Sequence, residues 1–359
     1  MKFSVITVVY NGEKTIERTI QSVIEQKNAD IEYIIIDGSS TDRTMEYVRK
    51  YTSHIARIVS EPDRGIYDAM NKGSRLATGD IIAFLNSDDW YEKDVLQNVI
   101  ARFENSEMDI LCADARVISE YGNRIRRAEL DKRTVFRRLP TSHQAIFTTR
   151  KWFEKIGEFD TNYIVSADFE WMTRSIMNNC KTELLHQVVV NFLSGGFSAK
   201  YSELCYQEIK RIAFQYYSGT FVESEMKKYY MYEDFIRTNE ECMWLGMESF
   251  ERKIKERVPL TKSVYIFGIG KVGVECFKML RKLGYSIAGF VDNHPSKAQK
   301  EFMGKIIQSI ENLEPGSDYI IIASTKYEND IMLQVEGYGF QKKRDFDLYT
   351  ELKDCLFDE

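Results

Sequence analysis

The N-terminal part of the chain alternates between short apolar runs and segments whose apolar residues recur every three or four positions. The short runs are typical of buried strands, and the wider spacing predicts helices with one face against a core. The predicted strands are FSVITVV (3–9), IEYIIID (31–37), ARIVSE (56–61) and DIIAFL (80–85). This βαβαβαβ series predicts an α/β fold with a doubly wound, mainly parallel sheet.

Polar residues follow each predicted strand. Tyr10 comes after the first strand, Asp37 ends the second, Asp63 follows the third and the NSDD sequence (86–89) follows the fourth. Ligands in open parallel sheets bind beyond the carboxyl ends of the strands. We therefore expect these residues to line one cleft.

The adjacent carboxylates Asp88 and Asp89 admit two interpretations. Two like charges repel, so a positive group is expected between or beside them. Alternatively, they form a polar turn that caps the next helix. That helix is predicted from the spacing of Val95, Leu96, Val99, Ile100 and Phe103.

The pattern changes twice further along the chain. From residue 201 the sequence is charged and rich in aromatic residues, and an α/β pattern restarts near residue 259. The segment from residue 201 to 258 is predicted to be helical, with one face buried in a core. That face carries Tyr206, Ile209, Ile212, Ala213 and Tyr216. The later predicted strands are SVYIFGIG (263–270), SIAGFVDN (286–293) and DYIIIAS (318–324). We expect an α/β domain over 1–200, a helical connector over 201–258 and a small Rossmann-like α/β domain over 259–359.

Composition excludes several classes of protein. The net charge of -6 argues against a general nucleic-acid binder. The six cysteines form no CxxC pair, which favours reduced thiols in the cytoplasm over disulfides or a zinc site. The N-terminal apolar stretch is too short for a signal peptide, and no segment approaches the roughly 20 apolar residues of a membrane span.

The first 200 residues resemble the family 2 glycosyltransferases of the GT-A fold, in the branch that builds surface polysaccharides. The resemblance rests on SVITVVYNGEKTIERTIQSV (4–23), IIIDGSSTDRT (34–44), DRGIYDAMNKG (63–73) and ATGDIIAFLNSDDW (77–90). These enzymes pass a sugar from a nucleoside diphosphate to an acceptor hydroxyl with inversion. The resemblance implies a nucleotide-sugar donor, with UDP expected.

The resemblance also implies the donor site. Asp37 would contact the base, and the other donor-side residues would be Thr7, Val9, Tyr10, Asp63 and Asn71. The D-x-D metal motif of the family falls on Asn86, Ser87 and Asp88, where Asn replaces the first aspartate. Asp88 is therefore the expected ligand of Mn²⁺ or Mg²⁺. Asn86 would form a hydrogen bond to the ribose or to a metal-bound water, and Asp89 would lie behind Asp88 without contacting the metal.

An inverting displacement needs a general base to take the proton of the acceptor hydroxyl. SADFEWMTRS (166–175) resembles the segment of the family that carries this base, so Asp168 is the candidate and Glu170 the fallback. The alternative for Asp168 is a carboxylate that stabilises a helix N-terminus. TSHQAIF (141–147) resembles an acceptor-side segment with His143 and Gln144, although a half-buried structural histidine is an equal reading.

Two further segments add expectations. LSGGFS (193–198) resembles a mobile loop with a hinge at its two glycines. RIRRAELDKRTVFRR (124–138) holds seven basic residues against two acidic ones, which predicts either a solvated helical face or a contact with anionic lipid.

A glycine turn opens the last domain. Gly268, Gly270 and Gly273 are spaced as GxGxxG after a predicted strand, and Asp292 follows about 20 residues later, as in nucleotide-binding turns. The domain resembles the N-terminal domain of sugar acyltransferases, and a structural or regulatory module is the favoured interpretation. Tyr349 and Lys353 form a Y-x-x-x-K match, but they lie too near the C-terminus to indicate hydride transfer.

These observations together predict an inverting, metal-dependent glycosyltransferase. Its acceptor would be a glycan or a polyprenyl-diphosphate-linked glycan used in surface polysaccharide synthesis at the inner membrane face. The alternative is an NAD-dependent nucleotide-sugar oxidoreductase or epimerase that uses the C-terminal glycine turn.

Overall fold

The computed structural model describes residues 1–27, 29–119, 122–131, 133–237, 248–294 and 297–355. These residues form two compact units, Met1–Glu223 and Ser224–Glu359. Lys132 of the basic segment and Cys242 lie outside the described residues. The described cysteines form no disulfide.

The first unit is an α/β structure built on one sheet. Its described strands are β1 (Lys2–Val9), β2 (Asp30–Asp37), β3 (Arg57–Ser60), β4 (Ile81–Asn86), β5 (Trp90–Tyr91), β6 (Ile110–Ile118), β7 (Arg124–Arg126), β8 (Ile146–Thr149) and β9 (Thr182–Leu193). Its described α-helices are α1 (Ile16–Ile24), α2 (Thr44–Arg49), α3 (Ile66–Leu76), α4 (Leu96–Glu104), α5 (Arg150–Ile156), α6 (Ala167–Met177), α7 (Phe197–Lys200) and α8 (Ser202–Tyr217). Short 3₁₀ turns occur at Thr52–His54 and His143–Ala145.

The strand order of this sheet is β3-β2-β1-β4-β8-β6-β9-β5, with β7 paired to β6. Strands β1 to β4 are parallel to one another, whereas β8 is antiparallel to both β4 and β6. The registers pair Val9 with Asp37, Asp37 with Ser60, and Val8 with Asn86. The carboxyl ends of the parallel strands therefore meet at one edge, and the predicted fold class is confirmed.

The sheet has a core on each face because side chains alternate along each strand. Phe3 and Val5 of β1 face a cluster with α1, α2 and α4, and Ile6 faces a cluster with α3, α5 and α6. Full burial of a side chain such as Ile6 contributes roughly 1.5–3 kcal/mol. Helix α3 lies so close to β1 that a Cβ atom on Gly73 would come within 2.3 Å of Ile6 Cγ2.

Helix α8 belongs to the first compact unit, although its sequence lies in the predicted connector. Tyr206, Ile212 and Ala213 are buried, and Ile209 and Tyr216 pack against the same core cluster. The prediction that this face is core is confirmed.

The basic segment is not helical where it is described, contrary to the solvated helical face predicted from its charges. It forms strand β7 and then a series of turns. Arg133 and Arg138 pair with Asp131 and Glu129 at 3.3 and 2.6 Å. Within the described ranges, no helix is both long and apolar enough to cross a membrane.

The second unit has its own sheet. Its described strands are β10 (Ser263–Phe267), β11 (Ile287–Val291), β12 (Glu301–Phe302), β13 (Lys305–Gln308), β14 (Asp318–Ile322) and β15 (Phe346–Leu348). Its described α-helices are α9 (Glu223–Arg237), α10 (Glu248–Arg257), α11 (Lys271–Lys282), α12 (Glu328–Gly337) and α13 (Tyr349–Asp354). The strand order is β12-β13-β11-β10-β14-β15. The sequence predicts only β10, β11 and β14, because the other three are too short to stand out as apolar runs.

Candidate active site

Helix α1 holds the turn that follows β4. The turn closes with a hydrogen bond from Asp89 N to Asn86 O at 3.1 Å. Thr19 Oγ1 donates to the carbonyl oxygens of Ser87 and Asp89 at 2.8 and 2.7 Å. Arg18 donates to the Asp88 carbonyl oxygen at 2.9 Å. Arg18 is thus the positive group that the two adjacent carboxylates led us to expect.

The two carboxylates have different surroundings. Asp89 is fully buried and accepts hydrogen bonds from Gln144 Nε2 and from Leu193 N at 2.8 Å. Burial and the charge of Asp88 raise the pKa of Asp89 well above its usual range. Asp89 therefore ties β4 to the end of β9 and is not open to a ligand.

Asp88 is only partly buried, and no other described residue donates a hydrogen bond to its carboxylate. Burial raises the pKa of Asp88, and the positive charges of protonated His143 and Arg18 act in the opposite direction. A Cβ atom on Gly196 would lie 3.3 Å from Asp88 Oδ2, so the LSGGFS loop passes directly over this carboxylate.

Asp168 lies in the first turn of α6, at the N-terminus of the helix. Tyr67 Oη donates to Asp168 Oδ1 at 2.9 Å, and His143 Nδ1 lies 3.3 Å from Asp168 Oδ2. Burial, followed by the charge of Asp168, raises the pKa of Tyr67, so its hydroxyl remains a donor. His143 also acts on the charge of Asp88, and the structure therefore brings Asp88, His143 and Asp168 together.

Arg126 is a further candidate site residue, and sequence reasoning missed it. It lies near Asp168, and its Nη2 donates to Leu139 O at 3.0 Å. Burial, reinforced by the charge of Arg138, lowers the pKa of Arg126 to about 10, while Asp168 raises it. The sequence signal was present in the basic segment, but nothing local distinguished Arg126 from its basic neighbours.

Buried polar atoms without a partner concentrate around this site. Among the described residues they include Asn86 Oδ1, Thr141 Oγ1, Ser142 Oγ, His143 Nε2 and Gln144 Oε1. Each such atom costs about 1–3 kcal/mol, and native structures retain few of them outside functional sites. The segment 141–144 therefore offers polar atoms that a bound substrate could satisfy.

A second group of predicted residues lies at the ends of β1, β2 and β3. Asp37 is fully buried and accepts from Ser60 Oγ at 2.6 Å and from Ser40 N at 3.1 Å. A Cβ atom on Gly38 would lie 2.3 Å from Asp63 Oδ2 and 3.5 Å from the Tyr10 ring. Tyr10 is 64% exposed, so it presents an aromatic face to solvent beside Asp63.

Three predicted donor-side residues do not lie on an open surface. Thr7 is fully buried and accepts from Tyr33 Oη at 3.1 Å, and Val9 lies in the same core. Asn71 bridges α3 to the backbone of Phe159 with hydrogen bonds of 2.9 and 3.0 Å. Side chains of β1 alternate between the two faces of the sheet, and Thr7 and Val9 point to the face that packs against α1. The position of these residues near the end of the strand did not indicate which face they occupy.

Comparison with known proteins places the chain in a family. The family described as Glycosyl transferase family 2 matches residues 4–164. A PGL/p-HBAD biosynthesis glycosyltransferase of Mycobacterium bovis is 34% identical over 203 residues, which covers 55% of this chain and 78% of the relative. An uncharacterized glycosyltransferase of Mycobacterium tuberculosis is 32% identical and is covered over 75% of its length.

The chain belongs to glycosyltransferase family 2. The structure of S. aureus TarS 1–349 in complex with UDP-GlcNAc aligns with a TM-score of 0.54 at 18% identity, covering 71% of this chain and 76% of that one. The longer S. aureus TarS structure aligns with a TM-score of 0.52, and this chain covers 48% of it. At these identities the similarity confirms the GT-A fold. Residues 260–345 match a separate family described as C2185-like, N-terminal.

Glu170 is held in an internal network of the glycosyltransferase unit. Its carboxylate accepts two hydrogen bonds from Arg174, at 3.1 and 2.9 Å, and one from Tyr216 Oη. Arg174 also donates to Ile156 O at the end of α5 and to Glu158 O just beyond it. The side chain of Glu170 is only 4% exposed, so this fallback base faces the protein interior and not the side occupied by Asp168.

Glu208 of α8 is a further residue that the sequence did not reveal. Its buried carboxylate accepts from the backbone N–H groups of Ile164, Val165 and Ser166 at 2.7, 2.9 and 2.9 Å. These groups form the loop that enters α6 immediately before Asp168. Glu208 therefore positions the candidate base from a helix about 40 residues away, which no local pattern could indicate.

We expect Glu208→Gln to lower stability by about 1–3 kcal/mol, because the amide offers one acceptor oxygen where the carboxylate has two. Transfer activity should fall about tenfold through misplacement of Asp168, with little change in UDP affinity. Thermal unfolding, kinetics and calorimetry would measure the three effects. Glu203→Gln, at an exposed position of α8, is the matched control. Wild-type stability and activity in Glu208→Gln would contradict the positioning role.

Proposed function

We propose that this family 2 glycosyltransferase transfers a sugar, with inversion, from a UDP-sugar to a hydroxyl of a glycan or lipid-linked acceptor. The observation that carries the proposal is the approach of Asp168 and His143 to the Asp88 turn. An inverting displacement needs a base on one side of the sugar and charge stabilisation on the other. Asp168 and Asp88 are suited to these two roles.

In the proposed reaction the acceptor oxygen attacks the anomeric carbon while the bond from that carbon to the diphosphate oxygen breaks. Asp168 takes the hydroxyl proton, and the electron pair of the broken bond leaves with the diphosphate. Tyr67 and His143 orient the Asp168 carboxylate. A base placed in this way contributes about 10²- to 10⁴-fold to the rate.

We propose that Asp88 holds Mn²⁺ or Mg²⁺ together with the donor diphosphate. No group of three or more His, Cys, Asp or Glu residues that could bind a metal occurs in the described ranges. One carboxylate is nevertheless sufficient for a hard cation whose other ligands are phosphate oxygens and water. The Asp88 carboxylate, which accepts no hydrogen bond from another described residue, and the unpartnered Asn86 Oδ1 fit that arrangement. When bound, the cation offsets the charge that develops on the leaving diphosphate.

We propose that the nucleotide base lies over Tyr10 and Asp63. Tyr10 offers an exposed ring for stacking, and the Asp63 carboxylate is an acceptor for a uracil-like N–H group. Asp37 supports this surface from below, because it joins Ser40 and Ser60 at two strand ends. The S. aureus TarS 1–349 structures contain UDP and UDP-GlcNAc, which supports the choice of UDP.

We propose that the acceptor approaches from the side of His143 and Arg126. The half-buried Arg126 guanidinium, whose charge interacts with that of Asp168, suits an anionic acceptor such as a glycan on polyprenyl diphosphate. Strand β7 adds an exposed Arg124, the 57% exposed Ile125 and then an exposed Arg127. This pattern supports peripheral contact with an anionic membrane surface in the synthesis of surface polysaccharide.

The test is a screen of UDP- and GDP-sugars for turnover with Mn²⁺ or Mg²⁺, followed by assignment of the product anomer by NMR. We expect UDP-sugar turnover that requires the metal, and a product whose anomeric configuration is opposite to that of the donor. Protein treated with EDTA is the control. Retained configuration, or turnover that does not need a divalent metal, would contradict the proposal.

A further inference from the structure

The second unit contains a cavity of about 650 Å³ at the carboxyl ends of β10, β11 and β14. Its walls are the turn 268–270, residues 292–294 and residues 324–327. Strands β11 and β13 lie on one side of β10, and strands β14 and β15 lie on the other. The order in which the chain adds strands therefore switches sides between β10 and β14, although these two strands are parallel. Open α/β sheets bind ligands at such a switch, and the volume is in the range of small-molecule sites.

The three glycines of the turn have different reasons to be glycine. Gly268 has φ +119°, and a Cβ atom on it would lie 2.7 Å from Ala323 O. A Cβ atom on Gly273 would lie 2.0 Å from Gly268 O. The packing of the protein therefore requires both of these residues.

Gly270 is different, because the protein itself does not require it. Its backbone is extended, with φ -81° and ψ -169°, and a Cβ atom there would meet nothing within 4 Å. Gly270 is the N-cap residue of α11, and Gly270, Lys271 and Val272 all line the cavity. A missing side chain at this point lets an anionic ligand approach the first N–H groups of the helix.

We propose that the second unit binds a nucleoside diphosphate in this cavity, with the diphosphate on the turn at Gly270. Lys271, Lys297 and Lys326 line the cavity and supply positive charge for the phosphates. Asp292 directly follows β11, at the place where a carboxylate accepts hydrogen bonds from ribose hydroxyls. Its carboxylate accepts from His294 N at 2.9 Å and pairs with Lys297 Nζ at 3.3 Å, so Lys297 also holds Asp292 at the cavity wall. The wall after β14 presents Tyr327, 52% exposed, as a stacking surface for the base.

The Tyr349 and Lys353 pair of the same unit does not face this cavity. Tyr349 Oη and Lys353 Nζ both donate to Glu275 Oε1, at 2.9 and 2.7 Å. Neither residue lines the cavity, and Tyr349 is buried. The Y-x-x-x-K match is therefore structural, and it contributes no residue to the cavity.

Hydrogen exchange of the full chain with ADP, UDP or inorganic phosphate tests the proposal. We expect ADP or UDP to protect peptides covering 264–275 and 287–294. Gly270→Ala should weaken this binding at least about tenfold and leave the melting temperature unchanged, since its Cβ enters open space. Gly337→Ala is the matched control, because it also adds a Cβ in open space but lies outside the cavity lining.

The site-resolved readout separates this site from the glycosyltransferase unit, where UDP should protect residues near 86–89. Protection of the second unit that survives Gly270→Ala would overturn the proposal. Equal protection by inorganic phosphate alone would also overturn it, because that result indicates a general anion site. A lack of protection by both ADP and UDP would overturn it as well.

Discussion

Replacing Asp168 by Asn is expected to reduce transfer by about 10²- to 10⁴-fold while the fold and the affinity for UDP are retained. The amide has the same shape as the carboxylate and can still accept the hydrogen bonds from Tyr67 Oη and Phe169 N. It cannot take a proton from the acceptor. Steady-state kinetics, thermal unfolding and UDP calorimetry on the same preparation would separate these effects.

Glu170→Gln is the matched control for Asp168→Asn, because both carboxylates lie in the first turn of α6. The ion pair of Glu170 with Arg174 is internal, so its loss should lower stability without the same selective loss of transfer. Near-normal transfer by Asp168→Asn would exclude Asp168 as the base. Weakened UDP binding in that variant would instead place Asp168 on the donor side.

Replacing Asp88 by Asn is expected to weaken the metal-dependent part of UDP binding by at least about 100-fold. Asn86 already removes one charge from the motif, and the Asp89 carboxylate is engaged by Gln144 and Leu193. No second carboxylate of the turn can therefore replace Asp88. Calorimetry of UDP with and without Mn²⁺ measures this effect without any need for turnover.

Asp89→Asn is the comparison for the metal experiment. Asp89 is buried and joins two strands, so its replacement should reduce stability and leave much of the metal dependence in protein that remains folded. A metal-dependent UDP affinity in Asp88→Asn equal to that of the wild type would remove Asp88 as the metal ligand. Loss of metal-free UDP binding in Asp88→Asn would point to a direct nucleotide contact.

Local pattern was sufficient for the first half of the sheet and insufficient for the second. The runs that form β1, β2 and β4 are apolar because both faces of the sheet are buried there, whereas the edge strand β3 is only partly buried. Strands β6, β8 and β9 are joined by antiparallel and non-sequential pairings. Strand order of that kind depends on contacts between distant segments, and periodicity carries no information about them.

The candidate site shows the same division. Residue types and motif resemblance were enough to nominate Asp88 and Asp168, because carboxylates at a strand end and at a helix head have recognisable local settings. Tertiary hydrogen bonds decided which carboxylates remain accessible. Leu193 N donates to Asp89 from 104 residues further along the chain, and Arg174 and Tyr216 donate to Glu170.

Positioning of the site was decided entirely by tertiary structure. Tyr67 reaches Asp168 across 101 positions, and Glu208 fixes the loop before Asp168 from α8. Such partners have no required spacing in the chain, since only the packed core sets the distance between them. Local sequence therefore determined which groups could perform the chemistry, and the three-dimensional packing of α3, α6 and α8 decided which of them face one another.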